Sequence, residues 1–223
     1  MKMFWLGQAG LLFESDEGVK IMIDPYFSNS CVKLNPANDR RMPVDERFLS
    51  VKPDIMIFTH NHLDHYDPET VNMFIKPDSN MTVLAPSSVW GEVRKIGGNN
   101  NYVEFNRHTE WSEKDLCFKA VKATHSDPYA IGVIVEDGKR AYYVTGDTLY
   151  NTEIIEDLPH RIDVVFLPIN GVGNNMNVTD AVRFVWAIGA RKAVPLHYGM
   201  FDDIDPKTFE VPGRIIPKPF EEF

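Results

Sequence analysis

Three things are scarce in this chain: cysteine, long apolar runs and clustered basic residues. Each shortage removes a class of protein. Only two of the 223 residues are cysteine, Cys31 and Cys117, and they stand far apart in no paired motif. A disulfide framework is therefore not expected, and a reducing cytoplasm is the simplest setting. No stretch approaches the ~18–20 apolar residues of a membrane span, so no membrane association is expected. The opening residues Met1–Gly10 turn polar too early for a signal peptide and read as a first strand. The formal net charge is -9 with a pI near 5.2, and no Lys/Arg block could follow a phosphate backbone. No nucleic acid partner is expected, and a small-molecule substrate is the default. There is no tandem repeat, low-complexity tract or evident linker. The chain is long enough for one sizeable core and short for two, so residues 1–223 are expected to form a single domain.

Against this ordinary background one segment stands out. Residues 60–65 read His-Asn-His-Leu-Asp-His, directly after the apolar run 54–59. With seven histidines in the chain, a His falls at any position with a chance of roughly 3%, so three at these offsets beside an Asp are not an accident of composition. Imidazole and carboxylate are ligands for borderline divalent metals. Packing four titratable groups together is costly unless a metal offsets it. One ion rarely takes four ligands from six residues, so the spacing points to two metals side by side, a device for hydrolysis.

Elsewhere the chain alternates strands and helices. Met3–Leu6, Leu11–Glu14 and Val19–Asp24 are apolar runs separated by turn residues. Ser28–Glu46 is a long polar segment, and loops of that length are often functional. Ile55–Phe58 is a strand. Asp67-Pro68 opens a helix with a capping Asp and Pro at its first position. Met81–Ala85 is a strand, and Pro86 starts a second helix that runs to Gly97-Gly98. Strands come next at Tyr102–Phe105, Thr109–Ser112 and Leu116–Ala123. Ile131–Glu136 and Arg140–Val144 flank the hairpin signal Asp137-Gly138. Asp163–Leu167 is a buried type of strand, Val178–Ile188 has helical spacing, and Ala193–Leu196 is the last strand. Each half thus supplies several strands and then one or two helices. The pattern suits an α/β fold of two packed sheets with helices outside, a four-layer αββα sandwich.

Four polar residues share one local position. His60, His125, Asp147 and His197 each come just after the end of an apolar strand. Strand ends at one rim are where layered α/β folds assemble sites from distant sequence.

The pattern HxHxDH at 60–65 with His125, Asp147 and His197 resembles the metallo-β-lactamase superfamily, and within it the subgroup that includes L-ascorbate-6-phosphate lactonase. Trp5-Leu-Gly-Gln-Ala-Gly10, Ile23-Asp-Pro-Tyr-Phe27, Gly146-Asp-Thr148, Leu167-Pro-Ile-Asn-Gly171 and Pro195-Leu-His-Tyr-Gly199 extend the likeness over residues 4–212. The chain departs from it at Gln8, where relatives often carry His. Position by position, the resemblance implies that His60, His62 and His125 hold one metal, that Asp64, His65 and His197 hold a second, and that Asp147 bridges them. It implies two divalent ions, zinc, manganese or iron, with a water or hydroxide between them as nucleophile. Asp64 and Asp147 are then the catalytic carboxylates, with Asp64 placed to take or relay the proton. The implied activity is hydrolysis of a small ester, lactone or phosphate-bearing metabolite. One alternative is a phosphodiesterase acting on nucleotides or RNA, against which the acidity speaks. Another is a non-catalytic metal-binding sensor, against which the completeness of the ligand set speaks. A homo-oligomer is compatible with the sequence, which carries no signal of one.

Other residues divide between structural and functional readings. His108 and His160 match no motif and read as surface residues. Asp24 either orients a ligand histidine or starts a turn before Pro25. The Asn/Gly-rich segment 170–177 is expected to border the site, as amide donors facing substrate or as a left-handed turn. Tyr198 either reaches substrate or packs under the metals. Arg40 and Arg41 are candidates for binding a substrate anion, although exposed solvated arginines are commoner. The Trp and Met residues of the helices read as core.

Overall fold

The computed structural model describes residues 1–223 and resolves into two compact units. Unit 1 comprises Met1–Glu104, Gly199–Phe201 and Pro217–Phe223; unit 2 comprises Phe105–Tyr198 and Asp202–Ile216. The class is α/β, and each unit carries one mixed six-stranded sheet.

In unit 1 the strands are β1 (Lys2–Gly7), β2 (Gly10–Glu14), β3 (Lys20–Ile23), β4 (Ile55–Ile57), β5 (Thr82–Ala85) and β6 (Asn101–Glu104), and they lie in the sheet in chain order. Short turns join β1 to β2 and β2 to β3, which pair antiparallel. From β3 to β6 every pairing is parallel, because the connections are long enough to cross over. Those connections carry α1 (Glu46–Leu49), α2 (Pro68–Phe74) and α3 (Ser87–Val93). Asp67 caps α2 by accepting from the Glu69 and Thr70 N–H groups, with Pro68 at the first turn. After α3 a 3-10 turn reaches Gly97, which takes a positive φ of 67°. Alternate residues of the central strands (Met22, Met56, Val83) pack with Val71 and Phe74 of α2 and Val89 and Val93 of α3. The intervening Ile21, Ile23, Ile55, Ile57 and Leu84 are fully buried too, as parallel strands require.

Unit 2 repeats the construction. Strands β7 (Glu110–Glu113), β8 (Leu116–Lys122), β9 (Ile131–Glu136) and β10 (Ala141–Val144) form an antiparallel meander. They are followed by β11 (Val164–Pro168) and β12 (Lys192–Leu196) in parallel pairing. The intervening helices are α4 (Thr152–Asp157) and α5 (Val178–Ile188). The β9–β10 hairpin turns at Asp137-Gly138, whose Asp137 Oδ1 accepts from the Lys139 and Arg140 N–H groups. α5 runs from an Asn177 cap to Gly189, which is left-handed at φ 62°.

Two expectations about these elements are corrected. Trp186 of α5 and Met73 of α2 are exposed rather than core. The buried face of α5 is Ala181, Phe184 and Val185 and that of α2 is Thr70, Val71 and Phe74; Trp186 and Met73 fall off those faces on the 3.6-residue repeat. The helix α4 has too few residues for an apolar period. Its start is specified by an Asn151 cap, and at its end the Leu158 N–H donates to the Ile155 carbonyl.

Asp157 ties together three parts of unit 2. It accepts from Arg107 Nε at 2.6 Å and Nη2 at 2.8 Å, and from the Lys122 backbone N–H of β8 at 2.9 Å. The Arg107 guanidinium, set against a weaker opposing effect of burial, holds this carboxyl down at about 2. A depressed carboxyl stabilises the fold above its unfolded pKa, about 4, and that contribution is lost as pH falls through the folded value. Asp157→Asn is expected to cost about 1–3 kcal/mol at neutral pH. The gap to the parent chain should close between about pH 4 and pH 2. Chemical denaturation across that range checks both the size and the sign.

Candidate metal centre

The parallel pairing explains why polar residues gather. Parallel neighbours end at the same edge. The residues just beyond β3 and β4 therefore meet in unit 1, and those just beyond β10 and β12 share an edge in unit 2. Because β8 is two antiparallel steps from β10, its carboxyl end lies at that edge too.

In unit 1, Asp24 directly succeeds β3, and His60 lies a short step beyond β4. The two strand ends are joined by Asp24 N–H to the Ile57 carbonyl at 3.0 Å. Asp24 Oδ1 accepts from the Thr59 N–H at 2.8 Å, Oδ2 accepts from the Thr59 hydroxyl, and Oδ2 lies 2.8 Å from His65 Nδ1. Beyond Thr59 the hexapeptide folds into a turn, with the His65 and Tyr66 N–H groups donating to the His62 carbonyl at 3.0 and 2.8 Å. The turn brings the imidazoles together. The ring centroid of His60 lies 4.6 Å from that of His62 and 4.0 Å from that of His65. Ligand atoms of Asp24, His60 and His65 lie within 4.8 Å of one another, and all three residues are buried.

These bonds set tautomers. A carboxylate only accepts, so His65 carries its proton on Nδ1. The Thr59 hydroxyl spends its hydrogen on Asp24, so its oxygen, 3.0 Å from His60 Nδ1, accepts from that nitrogen. Both rings therefore carry their lone pair on Nε2, the form a metal takes. Asp64 sits in the same turn with Oδ2 3.8 Å from His65 Nε2. Its carboxylate is held by Gln8, whose Nε2 donates to Oδ2 at 2.8 Å. Gln8 is buried and left-handed at φ 51°, and its carbonyl accepts from Trp5 Nε1. Asp24 thus orients the His65 ring and is not merely the start of a turn. The family likeness marks position 8 as a departure, but no signal in the sequence marks the partner of Gln8, which lies 56 positions away.

In unit 2, His125 lies beyond β8, Asp147 beyond β10 and His197 beyond β12. Asp147 Oδ2 lies 3.2 Å from His197 Nε2 and 3.9 Å from His125 Nε2, and all three side chains are nearly buried. His125 Nδ1 lies 3.2 Å from the Asn174 carbonyl, which only accepts, so its lone pair too is on Nε2. An imidazole lone pair facing a carboxylate in a buried site is stable when a cation stands between them. The donors of both units fit borderline divalent ions.

The remaining residues sort clearly. Tyr198 is buried, and burial raises its phenol pKa, so it stays protonated. Burial pushes the Cys31 thiol up to about 11. Arg40 is not a solvated surface group. Its Nε donates to the Met42 carbonyl at 2.7 Å and its Nη1 to the Tyr26 carbonyl at 2.7 Å, stapling the 28–46 segment. That segment is partly ordered by 3-10 turns at Ser30–Lys33 and Pro36–Asn38. Arg41, His108 and His160 are exposed. No helix is long and apolar enough to cross a membrane.

Comparison with known proteins agrees with this chemistry. The family described as "Beta-lactamase superfamily domain" matches residues 20–198. A UPF0173 protein of Pyrococcus furiosus is 32% identical over 211 residues, covering 94% of this chain and 89% of that one. A UPF0173 metal-dependent hydrolase of Staphylococcus epidermidis is 30% identical over 227 residues, covering 94% and 92%. Among solved structures, Igni18, a metallo hydrolase from Ignicoccus hospitalis, superimposes with a TM-score of 0.80 at 22% identity, covering 100% of this chain and 97% of that one. An isothiocyanate hydrolase from Delia radicum gut bacteria gives 0.75 at 20% identity, covering 100% and 98%. These likenesses show the metallo-β-lactamase fold. The metal-ligand donors of both units and the match along the chain thus lead to one assignment: the chain belongs to the UPF0173 metal-dependent hydrolase family of the metallo-β-lactamase superfamily.

Proposed function

We propose that the chain is a cytoplasmic, binuclear metal-dependent hydrolase acting on a small ester, lactone or phosphate-bearing metabolite, with residues 1–223 working as one hydrolase domain. The observation that carries this reading is the orientation of the donors. Asp24 and Thr59 turn Nε2 of His65 and His60 away from their anchors, and Asp147 faces the Nε2 atoms of His125 and His197. In this reading His60, His62 and His125 would hold one ion, Asp64, His65 and His197 a second, and Asp147 both. Zinc and manganese suit a His/Asp set without Cys, and iron is compatible with it. The lactone class comes from the motif likeness to L-ascorbate-6-phosphate lactonase.

Bound divalent ions supply Lewis acidity, which activates water and polarises the attacked oxygen near neutral pH. The chain's own residues do the rest. Asp64, with Oδ2 held by Gln8, is the proton acceptor. Asp147 balances the cationic charge. Asp24, Thr59 and the Asn174 carbonyl keep the histidines in the ligating tautomer.

The protein stripped with chelator and reloaded with zinc or manganese should carry about two ions per chain by elemental analysis; less than one overturns the reading. His62→Ala and His125→Ala should each abolish turnover of a lactone and phosphodiester panel, since each removes a ligand from a different unit. Asp64→Asn should lower kcat by about 10²–10⁴-fold. Cleavage of single-stranded RNA, lost in His62→Ala, would move the substrate class to nucleic acid.

Asp24→Ala should weaken metal binding by about 10–100-fold through the freed His65 ring. Equal affinities of variant and parent in a chelator competition would remove Asp24 from the site.

A further inference from the structure

The Asn/Gly-rich segment after β11 does more than border the site. We propose that residues 170–177 form a positioning loop for the metal ligands of unit 2, with Asn170, Asn174 and Asn175 each orienting one of them. The inference rests on the metal-binding reading above and assigns the loop to the ligands rather than to substrate.

The loop is built as a rigid pinch. Asn170 and Asn177 pair as an isolated antiparallel bridge. The Gly171 N–H donates to the Met176 carbonyl at 3.1 Å, and the Met176 N–H donates to the Thr148 carbonyl at 2.9 Å, next to Asp147. Gly171 is left-handed at φ 66°, and a Cβ there would stand 2.8 Å from Asn177 Cβ, so only glycine closes the pinch. Asn174 is left-handed too, at φ 67°. Met176 is fully buried beneath the turn and Asn177 caps α5. Both ends of the loop are therefore tied to regular structure.

From this frame three groups reach three predicted ligands. The Asn174 carbonyl accepts from His125 Nδ1 at 3.2 Å. The Asn175 amide Nδ2 donates to Asp147 Oδ2 at 2.9 Å. The Asn170 amide lies 2.9 Å from His197 Nδ1. Asn175 is buried, and its Oδ1 makes no hydrogen bond. A buried amide with half its capacity unused is costly, so the bond to Asp147 is what keeps Asn there.

Asn170 can act in two senses. As placed, its Nδ2 faces His197 Nδ1, and its buried Oδ1 has no partner. In that orientation the His197 proton sits on Nε2, 3.2 Å from Asp147 Oδ2. The amide turned over, which has the same shape, accepts from Nδ1–H and moves the lone pair to Nε2. One side chain thus serves His197 both as the hydrogen-bonded partner of Asp147 and as a metal ligand.

Cobalt(II) titration of the full chelator-stripped chain tests this, read by the visible absorption of the bound ion and by competition with a chelating dye. Asn175→Leu and Asn170→Leu keep the branching and heavy-atom count of the side chain and remove the polar contact. Each should bind cobalt about 10–100-fold more weakly, with a changed spectrum. Asn170→Asp, an obligate acceptor, should bind within about threefold of the parent. Asn100→Ala, which breaks side-chain bonds to Lys76, Gly97 and Met81 in unit 1, should lower the melting temperature and leave cobalt binding unchanged. If Asn175→Leu does not fold, Asn175→Ala is read in the same way. Parent-like affinity and spectrum in the folded Leu or Ala variants overturn the positioning role. An Asn170→Asp protein as weak as Asn170→Leu overturns the acceptor role of Asn170. A parent chain that takes up no cobalt removes the metal reading itself, a result distinct from both.

Discussion

The carboxylate of Asp24 is the constraint on which the unit 1 part of the metal centre depends. It orients His65 directly and His60 through the Thr59 hydroxyl, and it joins the ends of β3 and β4 through the Thr59 N–H. A metal-ligating histidine almost always commits its other nitrogen to a hydrogen bond, which fixes the tautomer and the ring. The same logic holds in unit 2, where the Asn174 carbonyl commits Nδ1 of His125. The partners differ in chemistry, but each has a fixed hydrogen-bonding sense. Orientation and tautomer are therefore set before any ion arrives, and binding need not spend free energy on ordering them.

Sheet topology places these anchors. Both sheets begin as antiparallel meanders and finish with parallel strands. The meander builds a core from short local connections. The parallel strands bring carboxyl ends, far apart in sequence, to one edge. In unit 1 this puts Asp24 beside Thr59, separated by 35 positions. In unit 2 it puts Asn170 beside His197, separated by 27. The apolar strands Ile55–Ile57 and Val164–Pro168 are buried along their length, which is why the polar residues just beyond them are held so firmly.

That geometry decides what the sequence could reveal. The hexapeptide 60–65 is legible because its residues are neighbours and its chemistry is local. His125, Asp147 and His197 are legible because an apolar strand precedes each, and strand ends can be read from hydrophobic runs. The alternation of strands and helices foretold two sheets with helices between strands, and the Asp67-Pro68 and Asp137-Gly138 signals sit where the cap and the hairpin turn form. Thr59 was illegible as a site residue, Gln8 showed only as a departure from the family's pattern, and Asn174 and Asn175 only as part of a segment expected to border the site. A glutamine 56 positions from its carboxylate carries no mark of that partner. Helix α4 has six residues and no apolar period, so only its caps announce it. Trp186 and Arg40 show the same limit from the other side: composition predicts a buried indole and a solvated guanidinium, and tertiary contacts reverse both.

Local rules fail most instructively in the backbone. Gln8, Asp24 and His197 all occupy the left-handed region, at φ 51°, 44° and 58°, where glycine is the low-strain choice. Such positions cost of order 1–3 kcal/mol each. Glycine would relieve the strain at each one and would delete a side chain that holds Asp64, holds His65 or faces Asp147. The surrounding structure offsets the strain locally. The Trp5 indole bonds the Gln8 carbonyl, and the Ile57 carbonyl accepts from the Asp24 N–H. The Ile169 N–H engages Leu196, just before His197. Backbone strain and side-chain donors thus coincide at the same three residues. That coincidence is expected where a fold gives up local preference to aim functional groups.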